Sequence, residues 1–119
     1  MQFLCLIYES EALMGSRPDS ENEQIFNEYM QFTQEVKDSG QFIAGDALQP
    51  TATATTVRVR NGETIITDGP FAETKEQLGG YYLLECDTLE EAISLAAKIP
   101  SVRDGSIEVR PIMLFDEQS

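Results

Sequence analysis

Residues 68–80 read Asp68-Gly69-Pro70-Phe71-Ala72-Glu73-Thr74-Lys75-Glu76-Gln77-Leu78-Gly79-Gly80 and lie between two strand-like runs. The segment ends a β-hairpin and leads into a strand–helix–strand unit, so it marks where the two halves of the fold meet. Its three carboxylates, one lysine and three glycines exceed what a turn requires. This segment is therefore the first candidate for a functional site.

The hairpin before this segment is predicted by Asn61-Gly62, the strongest short hairpin signal, between strands 55–60 and 63–68. A two-residue turn fixes the register and places Thr55 opposite Asp68. Asp68 is then expected on the same face as Val57 and Ile66, where it would be partly desolvated.

The remaining elements follow from hydrophobic periodicity and capping patterns. Capping boxes at Ser20–Glu23 and Thr88–Glu91 predict two helices, which end near Gly40 and Pro100. The predicted strands are residues 2–8, 42–48, 81–86 and 107–113, and residues 9–19 are predicted to form a loop.

The order β-α-β, hairpin, β-α-β predicts one α+β domain over residues 1–119. Without the hairpin it is the split βαβ arrangement of a ferredoxin-like sheet. The strands that contain Phe3 and Tyr81 are expected at the centre of the sheet and are apolar on both faces. Two helices cover only one face, so we expect a second copy to cover the other and form a homodimer.

The amino-acid composition limits the classes of molecule that this protein is expected to bind. Eight basic and 21 acidic residues give a net charge of −13, which disfavours nucleic acid and anionic membranes as partners. The longest apolar opening, residues 3–8, is too short for a signal or membrane segment. We expect a cytoplasmic protein.

Several kinds of chemistry are excluded by residue type. The chain has no histidine, which removes histidine triads, a histidine base and histidine metal ligands. Cys5 and Cys86 lie in separate apolar runs and are expected to be buried free thiols. No cofactor and no transition metal are predicted.

Residues 68–80, together with residues 54–58, 81–85 and 107–111, resemble the DGPF-domain proteins, a branch of the YCII-related family. The resemblance covers most of the chain, up to Pro111. It implies a dimeric α/β barrel with a cleft for a small molecule. YCII-type relatives are usually credited with a His-Asp pair. Asp68 could supply the acid of such a pair, but this chain has no histidine for the other member.

Asp68 is the candidate catalytic residue, as a general base or acid. The alternative is an Asx-turn in which it caps backbone amides near Gly69. A second set of residues could surround a ligand, or could belong to a loop whose charges are solvated. These residues are Glu73, Lys75 and Glu76. Phe71 is expected to anchor the turn on the core. Gly79-Gly80 predicts a close approach to a ligand or a partner subunit.

Charged residues inside the strands form a second candidate group. They could line the cleft, with an arginine that binds an anionic substrate, or form ion pairs at the dimer surface. These residues are Arg58, Glu85, Glu108 and Arg110.

Two functions remain open at this level. One is a small enzyme that performs acid/base chemistry on a carbonyl-bearing metabolite, with Asp68 as base and Lys75, Arg58 or Arg110 beside the oxyanion. The other is a non-catalytic regulatory or interaction module, since DGPF relatives often accompany sigma-factor-type regulators. The small molecule itself is not identified by the sequence.

Overall fold

The computed structural model describes residues 1–115. The strands are β1 Gln2–Glu9, β2 Phe42–Ala47, β3 Thr55–Arg60, β4 Glu63–Asp68, β5 Gln77–Glu85 and β6 Ser106–Pro111. The α-helices are α1 Glu11–Ser16, α2 Asp19–Asp38 and α3 Leu89–Ala96. Two 3-10 turns, Thr51–Thr53 and Pro100–Arg103, complete the elements.

Four strands form an antiparallel sheet in the order β2-β5-β1-β6. The prediction that the strands of Phe3 and Tyr81 lie at the centre is confirmed, because β1 and β5 are the inner strands. In the register of β1 on β5, Phe3 lies opposite Leu84 and Leu6 lies opposite Tyr81. The α+β sheet with helices on one side is therefore as the sequence predicted.

The core lies between the sheet and the helices. Phe3, Cys5 and Ile7 alternate along β1 toward α2 and α3, as the period of a strand requires. Phe32 and Val36 of α2 meet them from the other layer. Cys5 and Cys86 are buried free thiols, as predicted, and burial raises the pKa of Cys5 to about 11.

Two local predictions for residues 9–23 are wrong. The expected loop contains α1, whose first turn is capped by the Ser10 hydroxyl, which accepts from the Leu13 amide. The expected capping box at Ser20 is absent from the described residues, because α2 begins at Asp19, directly after Pro18 and two residues before the start that an N-cap at Ser20 requires. A proline fixes φ near the helical value and is tolerated at a helix start.

The hairpin β3–β4 is confirmed in every predicted pair, including Val57 opposite Ile66 and Thr55 opposite Asp68. Asn61 and Gly62 have φ of 51° and 79°, the left-handed values that this turn needs. We call residues 55–68 the arm, because they form a two-stranded sheet of their own beside the four-stranded one.

The face of the sheet opposite the helices carries the alternate residues of β1 and β5. Its centre is apolar, and Glu108 and Arg110 form an ion pair on β6 at its side. We call this surface the open face; its central residues are Leu4, Leu6, Tyr8, Tyr81 and Leu83.

Among residues 1–115, no helix combines the length and the apolar character that crossing a membrane requires.

Candidate functional site

A groove runs between α2 and the β2–β5 side of the sheet. Its volume is about 890 Å³, within the range of small-molecule sites. Helix α2 supplies Phe26, Tyr29 and Met30, and the sheet supplies Ile7 and Tyr82. Most of its lining is apolar, so the groove suits a ligand with an apolar body.

One end of the groove carries a connected set of polar side chains, which we call the polar cluster. The Ser101 hydroxyl donates to the Glu9 carboxylate, and the Tyr29 hydroxyl is hydrogen-bonded to Ser101. Because the Ser101 proton lies toward Glu9, Tyr29 is the donor in its bond to Ser101. Ser101 is buried behind Glu9 and Tyr29, and those two line the groove.

Arg17 completes the polar cluster. Its side chain is 7% exposed and contacts three carboxylates: Asp104 at 2.8 Å, Glu9 at 3.8 Å and Glu21 at 3.9 Å. The cluster thus holds more negative than positive charge. Its free hydrogen-bonding capacity includes carboxylate and phenol oxygens as well as the remaining N–H groups of Arg17, which suits a ligand that bears hydroxyl or carbonyl groups.

Burial raises the pKa of Tyr29 to about 12, and the Ser101 hydrogen bond opposes this rise. The phenol therefore keeps its proton at neutral pH. The Ser101 hydroxyl lies between the Tyr29 phenol and the Glu9 carboxylate, and neutral hydroxyls joined in this way can pass a proton along a hydrogen-bond chain without forming a buried charge.

Two further contacts join α2 to the sheet along the groove. Thr33 and Tyr82 are joined by a hydrogen bond of 2.7 Å, and Lys37 lies 5.1 Å from the centre of the Phe42 ring. These contacts fix side chains on both sides of the groove. On the open face of the same strands, the Tyr81 hydroxyl donates to Asp46 at 2.7 Å.

Asp68, the candidate base, lies at the end of the arm and is exposed, as are all residues of β4. The predicted desolvation beside Val57 and Ile66 is therefore wrong for the single chain, because those two side chains are 61% and 67% exposed themselves. Within residues 1–115 the Asp68 carboxylate makes no hydrogen bond, which does not support the Asx-turn.

Residues 69–76 leave the arm as an open segment. Glu73 and Lys75 are exposed, and Glu76 is half-buried. Phe71 is 80% exposed, so the prediction that it anchors the turn on the core is wrong. The backbone is held instead by the Gly69 amide, which donates to the Ala54 carbonyl at 2.7 Å.

Gly80 makes the close approach that the glycine pair predicted, but the atoms that it approaches belong to strand β2 of the same chain. A Cβ at Gly80 would lie 2.7 Å from the Asp46 carbonyl oxygen of β2. A Cβ at Gly79 would be 3.9 Å from its nearest neighbour. Gly80 therefore serves the packing of β5 on β2, and both glycines also line the groove.

The charged strand residues lie at separate places. Glu85 is at the far end of β5 from Gln77 and binds the amino group of Met1. At about 3.3 Å per residue, the length of β5 keeps Glu85 more than 20 Å from Glu76. Arg110 pairs with Glu108 beside the open face, and Arg58 is half-buried on the arm.

The polar cluster was missed from the sequence, although one signal for it was present. Glu9 continues the alternation of Phe3, Cys5 and Ile7, which places a carboxylate on the buried face. Tyr29 shares the helical spacing of Ile25, Phe32 and Val36, which indicates a core position and gives no sign of a partner for its hydroxyl. Ser101 and Arg17 reach the site only through tertiary packing.

Two sequence comparisons show what this chain is similar to. The family model of the YCII-related domain matches residues 1–116. An uncharacterized protein of Rhizobium meliloti (strain 1021) is 37% identical over 117 residues, which cover 97% of this chain and 94% of that protein.

A solved structure with the same fold is 5-chloro-2-hydroxyhydroquinone dehydrochlorinase (TftG) from Burkholderia phenoliruptrix AC1100, in complex with 2,5-dihydroxybenzoquinone. It is similar over the full length of both chains with a TM-score of 0.53, and 14% of residues are identical. At this identity the likeness shows the fold alone. By its sequence match and its fold, this chain belongs to the YCII-related family.

Proposed function

We propose that this protein binds a small, largely apolar molecule that bears hydroxyl or carbonyl groups, and that it moves a proton on that molecule. The observation that carries the proposal is the groove of about 890 Å³ whose apolar walls end at the polar cluster. Apolar walls with few placed polar groups are the usual composition of a small-molecule site.

Glu9 is the proton acceptor in this proposal. Its carboxylate lines the groove and receives a hydrogen bond from Ser101, while Arg17 lies on its other side. A ligand hydroxyl, or a carbon next to a carbonyl, can transfer its proton to Glu9 directly. It can also do so through Tyr29 and Ser101, with each hydroxyl accepting one proton and donating another.

The apolar body of the ligand would lie along Phe26 and Met30, which are 62% and 57% exposed. A planar ring fits this arrangement, and the fold relative TftG was solved with a dihydroxybenzoquinone. We therefore place hydroxylated or quinone-type rings first among the compounds to screen.

The assembly that we propose is a homodimer in which the open faces of two sheets pack together. Leu4, Leu6 and Leu83 lie on a face that the helices leave open. A sheet that is apolar on both faces needs both faces covered. The helices cover one face, and packing against a second copy would cover the other.

A thermal-shift screen tests the proposed function. Hydroxylated aromatic compounds and small carbonyl acids are added to the protein, because a ligand at 100 times its Kd stabilises the native state by about 2.7 kcal/mol. Each ligand that raises the melting temperature is then tested on Glu9→Gln and on Glu23→Gln, an exposed control on α2.

The affinity for the ligand, derived from the shift in melting temperature, should fall at least tenfold for Glu9→Gln. It should stay unchanged for the control. A ligand that stabilises Glu9→Gln and wild type equally would place the binding site away from the polar cluster.

A further inference from the structure

Arg17 is a nearly buried arginine with hydrogen-bond donors to spare. It lines the groove, and its side chain is 7% exposed. Its guanidinium donates to the Asp104 carboxylate at 2.8 Å, and its other N–H groups have no hydrogen-bond partner within residues 1–115. The distances to Glu9 and Glu21, 3.8 and 3.9 Å, are too long for hydrogen bonds. Buried donors normally have acceptors, so these N–H groups indicate a ligand that accepts from them.

The three carboxylates around Arg17 face different surroundings. The side chains of Asp104 and Glu21 are 47% and 53% exposed, and neither residue lines the groove. The side chain of Glu9 is 13% exposed and lines the groove. Its Oε1 accepts from Ser101, and its Oε2 is the oxygen that lies 3.8 Å from Arg17. The groove therefore ends at a carboxylate oxygen beside free N–H donors.

This spacing matches the geometry of a carbonyl group and its neighbouring carbon. Bond lengths of about 1.2 and 1.5 Å place a carbonyl oxygen about 2.4 Å from the carbon next to the carbonyl. When that oxygen accepts from Arg17, the carbon can lie within about 3–3.5 Å of Glu9 Oε2, the distance that reaction requires. The two side chains can thus hold both ends of an enolisable unit.

The charges of the polar cluster favour a neutral ligand. Three carboxylates surround one guanidinium, so an ionised ligand would add to an excess of negative charge. A neutral ketone does not. When Glu9 takes a proton from its carbon, the negative charge moves from the carboxylate to the ligand oxygen. Both positions adjoin Arg17, so the total charge of the site is unchanged and the new charge is stabilised by fixed donors.

We propose that Arg17 binds the carbonyl oxygen of a neutral ketone and that the reaction is its enolisation. Glu9 Oε2 removes a proton from the carbon next to the carbonyl, and the C–H electron pair forms a C=C bond. The carbonyl π electrons move to the oxygen, which becomes an enolate held by Arg17. Return of the proton to another carbon or to the oxygen gives an isomer or an enol. In this proposal Arg17 takes the role that the sequence suggested for Lys75, Arg58 or Arg110.

Two ring probes that differ by the carbonyl oxygen test this assignment, which rests on Glu9 as the proton acceptor in the groove. The probes are 2-tetralone and tetralin, and calorimetry gives the ratio of their affinities. The variants are Arg17→Met and the control Arg103→Met. Arg103 lies outside the groove, and its guanidinium already makes two hydrogen bonds to the Glu28 carboxylate.

We expect the preference for 2-tetralone over tetralin to fall at least tenfold in Arg17→Met and to stay unchanged in Arg103→Met, because a hydrogen bond from a charged donor is lost. Asp104→Asn keeps Arg17 but removes its ion pair, and it should retain the preference. An equal loss in Asp104→Asn would show that Arg17 acts only as an anchor and would overturn the assignment.

A measurement on the wild-type protein needs no substitution. In protein labelled with ¹⁵N at arginine, the side-chain N–H signal of Arg17 should shift on addition of 2-tetralone and not of tetralin. An unshifted signal would overturn the assignment.

Deuterium exchange separates this inference from the proposed function. Wild type in D₂O should exchange the protons next to the carbonyl of 2-tetralone faster than buffer does, and Arg17→Met should be about a hundredfold slower. Exchange that is lost in Glu9→Gln but kept in Arg17→Met would leave Glu9 as the acceptor and overturn the role of Arg17. Exchange that is kept in Glu9→Gln but lost in Arg17→Met would support Arg17 and contradict Glu9. A wild type that exchanges no faster than buffer would overturn the enolisation.

Discussion

Tyr29 and Glu9 are joined through the single hydroxyl of Ser101, although they come from α2 and from the end of β1. The chain of three oxygens crosses the two layers of the fold at the end of the groove. Arg17 holds the carboxylate end from the other side. The relationship matters because it connects an apolar cavity to an ionisable group without exposing that group widely to water.

Removing the Ser101 hydroxyl should destabilise the protein. Ser101→Ala leaves the Glu9 carboxylate and the Tyr29 phenol without their shared partner, and an unsatisfied buried polar group costs about 1–3 kcal/mol. Urea unfolding measures the change. Ser94→Ala, at an exposed position of α3, is the control and should stay within about 0.5 kcal/mol of wild type. Equal unfolding free energies for the two variants would contradict the connected chain.

The raised pKa of Tyr29 predicts a specific loss of stability in alkali. Its folded pKa is about 12, and its ordinary value is 10.0, so the unfolded chain releases this proton first as the pH rises. The stabilisation is fully present below pH 10 and is lost as the pH rises to about 12.

Urea unfolding of wild type and Tyr29→Phe at pH 8 and pH 11 measures this loss. The difference between the two proteins should change by about 1 kcal/mol between the two pH values, with wild type losing more. Other alkaline titrations cancel because both proteins share them. A difference that does not depend on pH would show that the Tyr29 phenol titrates normally.

Gly80 and Gly79 form a matched pair for a packing test. A methyl group at Gly80 meets the Asp46 carbonyl at 2.7 Å, whereas one at Gly79 meets nothing closer than 3.9 Å. Gly80→Ala should therefore cost about 1–3 kcal/mol as the two strands move apart. Gly79→Ala should be neutral or slightly stabilising, because alanine lowers the entropy of the unfolded chain. Equal effects in chemical denaturation would contradict the register of β2 on β5.

The arrangement of the sheet could be predicted because it depends on local patterns. Asn61-Gly62 set the register of the arm to the residue, and the apolar runs around Phe3 and Tyr81 placed their strands at the centre. Which side chains of these elements are buried by the rest of the chain could not be predicted in the same way. Phe71 and Val57 look like core residues by type, and only the tertiary structure shows that both are exposed in the single chain.

The candidate site was predicted less well for a physical reason. Residues 68–80 attract attention because their charges are adjacent in sequence. The polar cluster instead combines Glu9, Arg17, Tyr29 and Ser101, which tertiary packing brings together across the sheet and the helices. The positions of Glu73, Lys75, Glu76 and Glu85 leave their predicted ligand contacts untested.

The proposed dimer should be disrupted at the open face. Leu6→Lys places an ammonium group at the centre of this surface, where burial without a partner is unfavourable. Light scattering at micromolar concentration should give about twice the 13.3 kDa chain mass for wild type and the chain mass for Leu6→Lys. Gln24→Lys, exposed on α2, adds the same charge and should remain a dimer. A monomeric wild type would remove the basis for the open-face interface.

Asp68 should affect ligand binding and not stability. It is exposed and forms no hydrogen bond within residues 1–115, so Asp68→Ala and Asp68→Asn should both unfold within about 0.5 kcal/mol of wild type. If Asp68 belongs to the ligand site, as the sequence predicts, both variants should lose ligand-induced thermal stabilisation. Glu63→Ala, at the opposite end of β4, is the control and should keep it. A clear drop in the melting temperature of Asp68→Ala, with Asp68→Asn near wild type, would instead make Asp68 a turn residue.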